Sequence, residues 1–308
     1  MHYKILERDP QLLPFAGDIE QRMKNYQSKK RQLIGARGKL CDFANGHEYF
    51  GFHKTEKGWY YREWAPAAED VYLTGDMVAW KWTEKKLTPI GNGVFELFLE
   101  GTDALWNGCH VKTVVRHKGK LLERIPLYIR RVEQDPVTGA WCGVIVDEPP
   151  YEWKHCEFVP QREGILIYEC HIGMAQEKEG IGTYREFTQS ILPRIKALGY
   201  NTIQIMAIME HPYYGSFGYQ VSSFFAASSR YGTANELKEL IDTAHGMGIA
   251  VLLDVVHSHA VRNTAEGINE FDGTPYQFFH EGTRGEHPAW GTKLFNYNKN
   301  EVIHFLLS

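Results

Sequence analysis

The chain has 308 residues, 43% hydrophobic and 13% aromatic; it can bury a sizeable core, and at roughly 150 residues per domain it suggests two folded units. A formal net charge of -4, a pI near 6.4 and the lack of a long Lys/Arg cluster argue against a nucleic-acid partner. No apolar run approaches the roughly 20 residues needed to cross a bilayer, and Met1–Pro10 has no apolar core followed by a cleavage site, so neither membrane insertion nor export is expected.

Five cysteines (Cys41, Cys109, Cys142, Cys156, Cys170) form no CxxC pair, which suggests no disulfide framework or zinc site and fits a reducing cytoplasm. Taken in chain order, the first element is a basic, helix-compatible stretch, Arg22 to Arg37, which predicts an N-terminal helical arm within residues 1–42. Residues 43–150 then alternate short apolar runs with turns. Gly58 to Trp64, Asp70 to Leu73, Gly93 to Leu99 and His110 to Arg116 read as strands, separated by Gly75-Asp76, Gly91-Asn92-Gly93 and Gly101-Thr102-Asp103, which predicts an antiparallel β-sandwich.

After Pro149-Pro150 the texture changes. Ile165 to Cys170, Thr202 to Ile208 and Ile249 to Val256 are largely continuous apolar runs, the pattern of parallel strands buried on both faces. Thr183 to Glu186 and Thr233 to Glu236 each fit a capping box that opens a helix. Leu237, Leu240, Ile241 and Ala244 then make one apolar stripe, ended by Gly246 or Gly248. Residues 151–308 therefore read as three β/α units. An eight-stranded β/α barrel takes about 250 residues, so three units predict an incomplete one, with a small open doubly wound sheet as the alternative. Asn300 to Ser308 is apolar at helical spacing with no cap or turn after it, as expected of a chain that is cut short.

In parallel barrels, reactive groups lie beyond the carboxyl ends of the strands. The third run ends in Asp254, His257 and His259, which taken singly are a loop cap and two surface imidazoles. Past the second run comes Met209 to Gln220 (MEHPYYGSFGYQ), dense in aromatic and hydrogen-bonding groups. Sugars suit such a surface, because their C–H faces pack on rings while polar groups bond the hydroxyls. Core packing alone would account for some of Tyr213, Tyr214 and Phe217.

Leu192 to Gly232 and Asp254 to His259 (DVVHSH) resemble the glycogen and starch branching enzymes, more than other members of the alpha-amylase superfamily. Glu63-Trp64-Ala65-Pro66-Ala67-Ala68 with Val71 to Asp76 resembles the opening of the glycogen-binding module that precedes the barrel in those enzymes. The resemblance spans about Asn45 to Ser308. It implies that Asp254 and His259 hydrogen-bond the sugar on the non-reducing side of the scissile bond, that Tyr219 stacks under the same ring, and that Gln220, His211 and His257 line the cleft. In the module it implies that Trp80, with Trp82 as the alternative, stacks on glucan, while Trp64 is core.

Retaining glycosidases need a nucleophilic carboxylate and a carboxylic acid roughly 5 Å apart. In the family resembled, Asp254 is neither. The GFRFDG-like nucleophile motif and the acid that follows it are absent from these 308 residues, which implies binding groups without turnover and no cofactor or metal. The expected partner is glycogen or another alpha-glucan. Three rivals remain at this point: a non-catalytic glucan-binding protein, an amylase or debranching hydrolase of the same superfamily, and a metal-dependent hydrolase built on the His-x-His at Asp254.

Overall fold

The computed structural model describes residues 3–36 and 38–308; Arg37, inside the predicted arm, lies outside the described residues. Two compact units emerge. One comprises the described residues up to Glu48 together with Tyr297–Ser308, and the other Tyr49–Asn296.

In the first unit the principal helix is Ala16–Ile34, which begins before the helix-compatible stretch Arg22 to Arg37 and buries none of its residues. Its early start was hidden because Ala16–Gln21 carries few apolar residues at helical spacing. The predicted apolar helix appears at Asn300–Leu307 and buries Val302, Phe305 and Leu306. Lys29 Nζ donates to Asn300 Oδ1 (2.8 Å), Gly46 N–H donates to Ser308 Oγ (2.8 Å), and Phe43 meets His304 edge-on.

The second unit opens with an antiparallel sandwich. One sheet orders β1 (Gly51–Thr55), β2 (Gly58–Trp64), β6 (Val94–Glu100) and β5 (Thr88–Gly91). The other runs β4 (Lys85–Lys86), β3 (Asp70–Gly75), β7 (His110–His117), β10 (Trp141–Val144) and β9 (Val132–Gln134), with β8 (Lys120–Arg124) also on β7. Alternation along β2 buries Trp59, Tyr61 and Glu63 and turns Tyr60, Arg62 and Trp64 outward. The inward Glu63 is fully buried; it accepts from Tyr61 Oη (2.8 Å), Leu127 N–H (2.9 Å) and Trp64 N–H (3.3 Å). Burial pushes its carboxyl up to about 8.

The parallel sheet follows in the order β11 (Ile167–Cys170), β12 (Thr202–Ile205), β15 (Ala250–Leu253). Both predicted capping boxes form: Thr183 Oγ1 accepts from Glu186 N–H (3.2 Å) and Thr233 Oγ1 from Glu236 N–H (3.2 Å). The second opens Ala234–Gly246, whose Leu237, Leu240 and Ala244 pack with Ile203, Ile205 and Phe187. The first opens a helix that widens into a π-type turn at Phe187–Ile191 before continuing through Leu192–Ala197. Three parallel β/α units beside a sandwich are thus what the chain builds. Main-chain and side-chain bonds join them: Arg124 donates to the Glu270 carbonyl (3.0 and 2.8 Å), Ala67 N–H to Asp272 Oδ2 (3.1 Å) and Gln277 Nε2 to the Trp64 carbonyl (2.5 Å).

Candidate functional site

Past the end of β12, the chain forms a short pair of strands, β13 (Met209–Glu210) with β14 (Ser223–Ala227), and the loop between them carries the predicted aromatics. A buried carboxylate and a half-buried arginine hold the ends of that loop. Glu210, fully buried, accepts from Ser229 N–H (2.8 Å), Ser229 Oγ (2.9 Å), Ser228 Oγ (3.1 Å) and His211 N–H (3.1 Å). Burial raises its pKa, opposed by those donors and by Arg230. Arg230 in turn donates to the carbonyls of His211 (2.5 Å) and Pro212 (2.7 Å).

At the tip, Phe217 and Gly218 both take positive φ (54° and 92°), and Tyr219 N–H donates to the Ser216 carbonyl (3.0 Å). A side chain at residue 218 would lie 1.8 Å from the Ala207 carbonyl oxygen, so only glycine fits. This turn delivers Tyr219 to the end of β15. There Asp254 continues the strand pairing through its N–H to the Ile205 carbonyl (3.0 Å), and its Oδ2 accepts from Tyr219 Oη (2.8 Å). Burial and the carboxylate push the phenol up to about 12, so Tyr219 stays a donor through the neutral range.

His259 opens β16 (His259–Ala260), which pairs with β17 (Lys293–Leu294), and is 4% exposed. Burial, with His287 nearby, lowers its pKa and keeps the imidazole neutral near pH 7. A cavity of about 610 Å³ is lined by Ser216, Tyr219, Gln220, His259, Ala289 and Trp290. The fold therefore brings together Tyr219, Asp254, His259 and Gln220. His257 is half-buried with a pKa lowered by burial. His211 is placed differently: it is fully buried under the loop, with Nδ1 on the Met209 carbonyl (3.0 Å) and a pKa pushed down by burial to about 4.

In the sandwich, Trp80 and Trp82 are 37% and 39% exposed. Trp80 sits at φ 60° after Ala79 at φ 47°, and its indole N–H donates to Asp76 Oδ1 (3.1 Å). The strained turn and the Asp76 bond fix the indole at the surface. Trp64 instead packs edge-on against Phe278 (5.5 Å). Among the described residues, no group of three or more His, Cys, Asp or Glu side chains is placed to hold a metal ion, and no helix is long and apolar enough to cross a membrane. Trp290 and His287 went unnoticed in the sequence; the one signal there was an aromatic and a histidine within His287-Pro288-Ala289-Trp290, past the third strand.

Residues 49–129 match carbohydrate-binding module 48 (isoamylase N-terminal domain), and residues 174–299 match the alpha amylase catalytic domain. Over 99% of its length the chain is 46% identical to a 1,4-alpha-glucan-branching enzyme of Felis catus, 45% to one of Emericella nidulans and 44% to one of Dictyostelium discoideum. The chain is therefore similar to 1,4-alpha-glucan-branching enzymes over almost its whole length. It spans 44 to 46% of the length of those curated relatives. Solved structures share the fold: the pullulanase of Bacillus acidopullulyticus matches with a TM-score of 0.66 at 20% identity, covering 83% of this chain and 35% of that one. The Group B Streptococcus pullulanase SAP matches with a TM-score of 0.67 at 19% identity, covering 90% and 40%.

Proposed function

We propose that these residues form the glucan-recognition part of a 1,4-alpha-glucan branching enzyme, which cuts alpha-1,4 links and rejoins the released chain through alpha-1,6 links. The observation that carries the reading is the Tyr219–Asp254 bond of 2.8 Å beside His259, in a cleft of a chain so similar to branching enzymes. A ring to pack under a sugar, a carboxylate to accept its hydroxyl protons and a neutral imidazole make a sugar subsite. His211 supports the cleft from beneath, and His257 stands beside it. Trp80, with Trp82 near it, offers the sandwich's own stacking surface for glycogen or another alpha-glucan. Residues 1–42, 43–150 and 151–308 are proposed as arm, glucan-binding module and part of a catalytic barrel. Five free cysteines support a cytoplasmic setting.

The chain itself is proposed to bind without turnover, because in the family Asp254 is a substrate-binding carboxylate and neither nucleophile nor acid. Co-sedimentation with glycogen tests this reading. Wild type is expected to pellet with the polysaccharide, Trp80→Ala and Tyr219→Ala each to lower the bound fraction, and no new alpha-1,6 links to form. A folded wild type that stays in the supernatant while glycogen pellets, or branching activity that Asp254→Ala abolishes, would refute it.

A further inference from the structure

The cleft has a wall that the reading above leaves unused. Trp290 is 60% exposed, a large indole left in water although apolar area is normally withdrawn from it. Its geometry is fixed all the same. The indole stacks flat on the His287 imidazole, with centroids 4.2 Å apart and planes 7° from parallel, and His259 tilts against it at 5.0 Å. The Trp290 backbone N–H donates to His287 Nδ1 (3.3 Å).

The segment that carries both rings is tied on each side. His287 N–H donates to the Thr292 carbonyl (2.8 Å) and Gly291 N–H to the His287 carbonyl (2.9 Å). Just before them, Glu286 accepts from Lys293 Nζ (2.6 Å) and from Arg262. Just after, Lys293–Leu294 pairs with His259–Ala260, the strand that carries the cleft histidine. An exposed aromatic held this firmly has already lost the rotamer freedom that binding would otherwise cost it.

Trp290 lines the same cavity as Tyr219, Gln220 and His259, and the volume of about 610 Å³ falls within the usual range for small-molecule sites. We propose that Trp290, backed by His287, is a second stacking platform of this cleft and takes the apolar face of a glucose residue of the glucan chain. The inference rests on the glucan-binding reading and extends it: Tyr219 is tethered to Asp254, whereas Trp290 makes no bond to either and holds the chain from a separate loop.

The test is calorimetric titration of the 308-residue chain with maltoheptaose, all in a Trp80→Ala background so that the sandwich's own surface is silent. Trp290→Ala is expected to weaken binding about tenfold, and Trp290→Phe, which keeps an aromatic face, to stay within about threefold of the parent. Thermal melting of each variant shows that the fold is kept, and Trp290→Leu, apolar but without an aromatic face and likewise expected to weaken binding, carries the test if Trp290→Ala melts early. Loss of binding on Tyr219→Ala together with unchanged binding on Trp290→Ala overturns the platform and leaves the glucan-binding reading standing. A folded parent that does not bind maltoheptaose overturns both the platform and the Tyr219 subsite.

Discussion

Glu63 shows how far one side chain can depart from what its neighbours in sequence suggest. It stands in a strand whose alternation is regular, at an inward position where an apolar residue is usual, and its carboxyl is pushed up to about 8. Above its ordinary value of 4.5 the unfolded chain has released this proton while the folded chain still holds it. Folding therefore takes up a proton between those values: the contribution to stability is complete below about pH 4.5 and falls as pH rises toward 8. Glu63→Gln keeps an acceptor for the Leu127 N–H and removes the titration. Between pH 5 and pH 8 the variant is expected to gain on wild type by on the order of 3 kcal/mol, read from urea midpoints at each pH. A difference that stays flat with pH would show that Glu63 does not titrate in that window.

At the scale of elements, what was legible followed from patterns that repeat. Gly58–Trp64 was readable residue for residue because an antiparallel strand with one buried face alternates, and both helix starts were readable because a capping box is a local signal. The second parallel strand was overread. The apolar run continues to Ile208, but the strand stops at Ile205, and Ala207 and Met209 turn into a second small core with Val221 and Val256. Apolarity reports burial, and here burial outlasts the strand. Trp290 escaped for the opposite reason: one aromatic in an irregular segment has no period to reveal it.

Asp242 could not be foreseen either, since its partners lie far off in sequence. It is 2% exposed on the helix Ala234–Gly246 and accepts from Lys154 N–H (2.9 Å), His155 N–H (2.9 Å) and Tyr151 Oη (3.1 Å). That one carboxylate pins the connection between sandwich and parallel sheet. Asp242→Ala leaves those donors without their acceptor and is expected to cost about 3 kcal/mol and to expose residues 151–165 to protease. An unchanged digestion pattern would show that the connection is held by something else.

For the second unit as a whole, the parallel sheet is where packing is least complete. Strands of this kind are normally covered on both faces by other elements. Here Ile167 is 47% exposed, Leu252 and Leu253 44% each, and Val255 52%, and among the described residues β11 and β15 each pair on one side only. Apolar side chains beside open strand edges favour association, because a second molecule can withdraw both the side chains and the unpaired backbone from water. At up to about 100 µM the chain is therefore expected to self-associate and to bind an apolar dye. Ile167→Lys combined with Leu252→Lys should shift it toward monomer in size-exclusion chromatography with light scattering, leaving the circular dichroism of the sandwich and helices in place. A wild type that is monomeric and dye-negative over the same range would mean that the exposed face is covered by rearrangement within the chain, and the double variant would then lower the melting temperature instead of changing the mass.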